Sequence, residues 1–229
     1  MKATRDSFGE ELASLGEKNR QIVCLDADLS KSTKSEKFAK KFPERFYEMG
    51  IAEANMIGTA AGLALSGKIP FACSFGTFIT GRYDQIRMSV SYNRANVKIV
   101  GTHAGIAIGE DGHSQMGLED VAVLRSLPNM AIYQPADDVE TRAVIRYAVA
   151  DNGPCYIRLT RQKLPHLFDE KSYKFQPGKW QKIHEGKTFA LIGSGGLVHS
   201  LKTANEKLGS PYTVVNACSI KPADEKMII

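Results

Sequence analysis

The chain has 229 residues, 43% of them hydrophobic and 24% charged, the make-up of a globular domain and not of a disordered or fibrous chain. Its formal net charge of +5 is thinly spread, and the densest basic run, "KSTKSEKFAKKFPER" at 31–45, alternates with apolar positions like a solvated helix face; this argues against nucleic-acid binding and suits anionic small molecules. No apolar run reaches the roughly 18 residues of a membrane span, the amino-terminal stretch lacks a signal peptide's apolar core, and Cys24, Cys73, Cys155 and Cys218, each alone in a strand-like run, read as buried free thiols of a reducing cytoplasm.

Phe8, Leu12 and Leu15 mark a first helix, followed by the strand "IVCLDAD" at 22–28. A polar helix from Thr33 to Phe42 leads to the short strand "RFYEMG". Residues 52–66 form a helix that is apolar on most sides, which predicts burial all round. Then come the strand "IPFACSF", the helix "GRYDQIRMSVSY" and the strand "VKIVGTH". The loop "AGIAIGEDGHSQMG" precedes a helix from Leu118 to Leu127 and the strand "MAIYQPA". Asp137 caps a helix through Ala150, and "CYIRLT" is the last strand of the set.

Strands and helices alternate with short links, and the strands are continuous apolar runs. The expected fold is therefore α/β: a doubly wound, mostly parallel sheet with helices on both faces, filling residues 1–162. Residues 163–186 read as a linker and 187–229 as an incomplete second α/β unit, because about forty residues cannot close a doubly wound domain. Ligands of such sheets sit at the carboxyl ends of strands. Asp28 to Ser32, Glu53, Phe75 to Phe78, His103 to Gln115, and Thr160 to Arg161 are thus the segments of interest.

Taken alone, each candidate has two readings. Glu53 opens an apolar helix, either as a partner of the helix dipole or as a carboxyl held neutral for chemistry. Phe75 and Phe78 suit core packing or a stacking platform. His103 ends a strand, where a titratable side chain suits function. "GEDG" is a tight acidic turn without the ligand spacing of a calcium site.

In order along the chain, "GIAEANM", "SFGTFITGRYDQIR", "GTHAGIAIGEDGHSQMGLEDVAVLRSLPNMAIYQPAD" and "YIRLTRQKLP" resemble the pyrimidine-binding domain of transketolase, over residues 1 to about 165, with the remainder similar to the start of that family's third domain. The resemblance implies a thiamine-diphosphate-binding fold and transfer of a two-carbon ketol unit from a ketose phosphate to an aldose phosphate. It implies catalytic roles for Glu53, at the N1′ nitrogen of the cofactor's aminopyrimidine, and for His103, at the donor sugar. Phe75 and Phe78 would wall the pyrimidine, with Asp28 near the cofactor's other ring. Asp111, Gln115, Arg161 and Ser32 would hold the sugar phosphate. Gln115 stands where the microbial and plant type has a histidine, and His113 replaces a proline of that pattern.

The family's "GDG" and following asparagine, which bind the diphosphate through Mg2+ or Ca2+, have no counterpart here, so no metal is assigned to this chain. The expectation is the carboxy-terminal subunit of a split transketolase, or a fragment of a longer one. An amino-terminal partner subunit would supply the cation and share the thiamine diphosphate, self-association into a dimer would accompany it, and this chain alone would be inactive. Deoxyxylulose-phosphate synthase, the β-subunit of a 2-oxoacid dehydrogenase and a non-catalytic partner module are the alternatives.

Overall fold

The computed structural model describes residues 1–228. The period-2 pattern of the strands sets its layers. In β2 (Ile22–Asp26), Val23 and Leu25 point to one face of the sheet and Ile22 and Cys24 to the other. The same alternation places Ala72 opposite Phe71 and Cys73 in β4 (Ile69–Phe75), and Tyr156 opposite Cys155 and Ile157 in β7 (Cys155–Arg158). Both faces are apolar, so both must be covered.

The covering helices come from the crossovers. On the face with Phe8 and Leu12 lie α1 (Thr4–Lys18), the short α2 (Ser30–Thr33), α3 (Glu36–Lys41) and α8 (Asp138–Ala150). Buried Glu11 of α1 takes hydrogen bonds from Arg142 and Arg146 of α8, at 3.1 and 2.7 Å, which ties these two helices together. On the other face lie α4 (Glu53–Leu65), α5 (Gly76–Thr80), α6 (Tyr83–Gln85) continued by a π-helical stretch Ile86–Tyr92, and α7 (Asp120–Arg125). Asp137 caps α8 by accepting the Glu140 N–H at 2.8 Å, as expected.

With β3 (Phe46–Glu48), β5 (Lys98–Thr102) and β6 (Ala131–Tyr133), these strands form one sheet. Its order is β12-β6-β7-β5-β4-β2-β3, parallel except for β12 (Ser219–Lys221), which pairs antiparallel with β6. Two smaller sheets accompany it. β1 (Lys2–Ala3) pairs antiparallel with β8 (Lys163–Leu164), fastening the start of α1 to the end of β7. β9 (Gln181–His184), β10 (Ala190–Gly193) and β11 (Thr213–Asn216) form a three-stranded sheet in the order β10-β11-β9, beside α9 (Leu197–Lys207), and α10 (Glu225–Ile228) follows β12. The segment read as linker thus contributes strands at both its ends, and the last strand returns to the main sheet.

One expectation about burial is corrected. α4 is not covered all round: Ile51, just before it, is 84% exposed and Leu65 is 68% exposed. Its outward side, with Asn55, Gly58 and Gly62, faces solvent. Leu118–Leu127 holds a shorter helix than expected, Asp120–Arg125. All four cysteines are free and buried; Cys24 and Cys73, on adjacent strands, bring their sulfurs to 3.8 Å. Among the described residues, no helix is long and apolar enough to cross a membrane.

Candidate active site

Parallel strands put their carboxyl ends on one edge, and the loops there carry the candidate residues. After β2 the chain turns around Asp26. This fully buried carboxylate accepts hydrogen bonds from the Leu29 N–H at 2.7 Å, the Thr33 hydroxyl at 2.6 Å and the Ser35 hydroxyl at 2.8 Å. Burial outweighs these bonds and lifts its pKa to about 6. The loop so held presents Leu29 and Ser32.

Phe75 ends β4 and Phe78 follows in α5, with near-parallel rings (8°) and centroids 5.7 Å apart. After β5 comes His103, buried, in the left-handed region at φ 56°. Its ring lies 3.9 Å, centroid to centroid, from that of Phe75. The following loop holds Glu110, Asp111 and Gln115. Arg158, at the end of β7, pins the return of that loop, donating to Asp120 at 2.7 Å and to the Gly117 carbonyl at 3.3 Å. Arg161 lies three residues beyond Arg158, the last residue of β7, and Arg5 enters from the first turn of α1.

These side chains enclose a cavity of about 570 Å³. Phe75 and Phe78 wall it, Arg5 and Arg161 supply positive charge, and His103, Ser32, Asp111 and Gln115 supply polar groups. Arg161 donates to Glu110 at 2.6 Å and to Asp111 at 3.0 Å, and the Glu110 bond in particular raises its already high pKa. Glu110 is mostly exposed, so this pairing is a surface one that a stronger anion can replace. Arg5 donates to the Ser32 carbonyl at 3.0 Å and to His103 Nε2 at 2.7 Å. Burial, helped by Arg5, Arg161 and Lys34, pushes the His103 pKa down to about 3, so the imidazole is neutral at physiological pH.

Seven of the sequence candidates, Ser32, Phe75, Phe78, His103, Asp111, Gln115 and Arg161, therefore share one cavity. Glu53 stands outside its lining, buried in the first turn of α4 on the same edge of the sheet. Its Oε2 lies 3.8 Å from Nη2 of Arg82, so it faces a cation as well as apolar side chains. Asp28 is exposed at φ 61°, its N–H donating to Glu48 at 2.8 Å, and it does not line the cavity. His113 is exposed and also outside it.

Arg5 is the lining residue that lies outside every segment marked in the sequence. A signal for Arg5 existed: a cation in a helix's first turn opposes the dipole and asks for a reason.

Aromatic wall, paired cations and a neutral imidazole at the carboxyl edge of a parallel sheet define a class: an α/β protein whose cavity there is shaped and charged to suit a polar, anionic small molecule. The family defined by the transketolase pyrimidine-binding domain matches residues 1–166. The chain is 44% identical over 232 residues to a protein described as a transketolase C-terminal section from Methanocaldococcus jannaschii, covering 99% of this chain and 73% of that protein. It is 37% identical over 233 residues to human transketolase, covering 99% of this chain and 37% of the human protein. A solved structure of a split gene transketolase, an inactive β4 tetramer, superposes with a TM-score of 0.90 at 44% identity, over 100% of this chain and 74% of that one. This chain belongs to the transketolase family.

Proposed function

We propose that this chain is the pyrimidine-binding subunit of a split, thiamine-diphosphate-dependent transketolase that moves a two-carbon ketol unit between sugar phosphates. The observation that carries the reading is the placement, on one edge of the sheet, of a buried glutamate, a parallel phenylalanine pair and a cation-lined cavity, in a chain that matches transketolases throughout its length. The residues fit half of the cofactor. Phe75 and Phe78 offer flat faces to a pyrimidine, and Glu53 offers a carboxyl, held in a dry helix terminus, for its N1′ nitrogen. Among the described residues no group of three or more His, Cys, Asp or Glu side chains is placed to hold a metal ion. The diphosphate and its Mg2+ or Ca2+ are assigned to an amino-terminal subunit, a reading supported by the match to a transketolase C-terminal section, and a homo-oligomer of this chain is inactive, like the relative whose structure is an inactive β4 tetramer. The small sheet of residues 181–216 is read as the start of the family's third domain, and the enzyme as cytoplasmic.

Bound thiamine diphosphate would supply a thiazolium C–H acidic enough to give up its proton to the cofactor's own amino-derived nitrogen, which would make that carbon a nucleophile toward a ketose carbonyl. Glu53 holds a proton at the pyrimidine N1′ and so tunes the basicity of the amino group across that ring. Neutral His103 accepts a hydrogen bond from a sugar hydroxyl. Asp111 accepts from another, which selects stereochemistry, and Gln115 donates to the sugar without exchanging a proton. Arg161, Arg5 and Ser32 meet the phosphate, where a guanidinium's planar fork suits the oxyanion. No role is given to Asp28.

The test is ketol transfer from xylulose 5-phosphate to ribose 5-phosphate by the chain mixed with its amino-terminal partner. Glu53→Gln keeps a hydrogen bond at N1′ but cannot exchange the proton, and it lowers the rate by about a hundredfold to ten-thousandfold. Transfer near the original rate in that variant refutes the role of Glu53; full activity of a purified homo-oligomer refutes the need for a partner.

A further inference from the structure

We propose that Glu140 is a proton-operated latch that seats the second α/β unit, β9 to β11 with α9, on the loop after β6. That loop, residues 134–137, meets the unit at several points. Gln134 accepts the Gly195 N–H on its carbonyl at 3.2 Å and the Ser194 hydroxyl on its side chain at 2.9 Å. The Ala136 carbonyl accepts from His199 Nε2 at 2.8 Å. Asp137 takes the Leu167 and Phe168 N–H groups of the connecting segment, at 2.7 and 3.0 Å.

Glu140 gathers the remaining ties. Donors from three separate segments converge on its fully buried carboxylate: the Ala136 N–H at 2.7 Å, the Tyr173 hydroxyl, and Asn216 Nδ2 of β11, 2.8 and 3.0 Å from the two oxygens. The titratable groups that face it are acids. Asp137 stands at the N-cap of the same helix, and the Cys218 thiol and Tyr173 phenol are both pushed up by burial and by the Glu140 charge. His199 reaches only the Ala136 carbonyl, and among the described residues no cation pairs with Glu140. A buried carboxylate held by neutral donors, without a counter-ion, resists ionisation; its pKa is pushed up to about 7, and Asp137 adds to the push.

Asn216 offers a place for the proton. Its Nδ2 serves both carboxylate oxygens while its Oδ1 is buried without a partner. Protonation makes one Glu140 oxygen a donor, and a half-turn of the amide brings Oδ1 round to accept from it. The neutral acid thus keeps a bond across the junction of α8 and β11, whereas the ionised one carries a charge that opening to water relieves. Glu140 binds its proton more tightly with the unit seated, at about 7 against an ordinary 4.5, so seating is firmest in acid and weakens as pH rises through that interval. Between pH 6 and 8 the opening equilibrium rises about tenfold.

Hydrogen exchange of the full chain, read by mass spectrometry and corrected for the intrinsic pH dependence of exchange, tests this. Protection of residues 166–176 and 213–218 falls about tenfold from pH 6 to 8 while that of β4 and β5 holds. Glu140→Gln removes the fall, and His199→Gln, which changes the other titratable group at the junction, leaves it. Carboxyl carbon-13 NMR of the glutamate-labelled chain, assigned with Glu140→Gln, places the Glu140 titration well above the ordinary carboxylate range. Tyr173→Phe, which takes one donor from the ionised form, moves both transitions to higher pH and is the variant read if Glu140→Gln fails to fold. Equal protection at pH 6 and 8, a Glu140 midpoint below about 5, a fall that persists in Glu140→Gln, or its loss in His199→Gln overturns the proposal. Neither measurement involves cofactor or ketol transfer, so their failure would leave the role of Glu53 untouched.

Discussion

Replacing Asp120 with alanine should cost this fold about 3–5 kcal/mol, the range for breaking a buried ion pair by removing one partner. Its carboxylate is fully buried, and one oxygen, Oδ2, accepts two bonds of 2.7 Å, from the Tyr156 hydroxyl and from Arg158 Nε. Tyr156 is wholly buried and the Arg158 side chain is 14% exposed, so water cannot replace the lost acceptor for the first and only partly for the second. Asp120→Asn keeps an oxygen in place but makes the Tyr156 bond a neutral one, leaves the buried Arg158 charge without a counter-ion, and puts an amide where Oδ1 now sits, buried and without a partner. That variant should lose about 2–3 kcal/mol. Tyr156→Phe removes one donor only and should lose about 1 kcal/mol, non-additively with Asp120→Asn because both touch the same oxygen. Urea unfolding followed by circular dichroism reads all of these, against a total stability of about 5–15 kcal/mol. An alanine variant that loses under about 1 kcal/mol would refute the reasoning, since Arg158 would then need no counter-ion. The loop is the wider stake: Arg158 holds the Gly117 carbonyl, which also takes the Gly105 N–H at 2.9 Å, and between them lie Glu110, Asp111 and Gln115.

Arg161→Met should raise the KM for sugar phosphates by about tenfold or more while leaving binding of free sugars little changed; equal effects on both would remove Arg161 from the phosphate site. Asp26 gives a pH signature. Its folded pKa of about 6 lies above the ordinary 3.8, so between those values the native state holds more protons than the unfolded chain and stability falls as pH rises, by about 3 kcal/mol in all. Asp26→Asn should flatten that part of the profile in urea titrations, and parallel profiles for the two proteins would count against it. Gly117→Ala should destabilise and loosen the loop, because an added Cβ would lie 2.8 Å from the Thr77 backbone nitrogen; an unchanged unfolding midpoint would show that the contact yields.

The sheet was legible because runs such as "IVCLD" and "CYIR" are apolar on both faces, which only a sheet covered on two sides requires. Helix α4 was legible as a helix but not in its surroundings. Hydrophobicity records what a residue avoids, not whether its own chain or another molecule does the covering, so Leu65 read as core. β12 escaped notice because three residues, "SIK", carry too little periodicity to reveal which sheet they join. A histidine ending a strand was marked by its own local oddity and lines the cavity; the charge opening an apolar helix was marked the same way but stands outside the lining. Arg5 was not, since its meaning lies in His103, and only the folded chain puts them together. The Asp120–Tyr156–Arg158 cluster was hidden for the same reason.

The clasp between β1 and β8 has a consequence for how the molecule comes into being. Beside it the Thr160 N–H donates at 2.8 Å to the Thr4 hydroxyl, 156 residues away along the chain, and the clasp brings Arg5 alongside the segment that carries Arg161. Such a long-range closure forms late, because the chain pays its entropy before any local contact repays it. A ribosome-bound chain that has not yet released residue 160 has a growing sheet but no pair of cations at its edge. The paired positive charge is therefore the last part of the cavity to be made, after every other side chain that lines it.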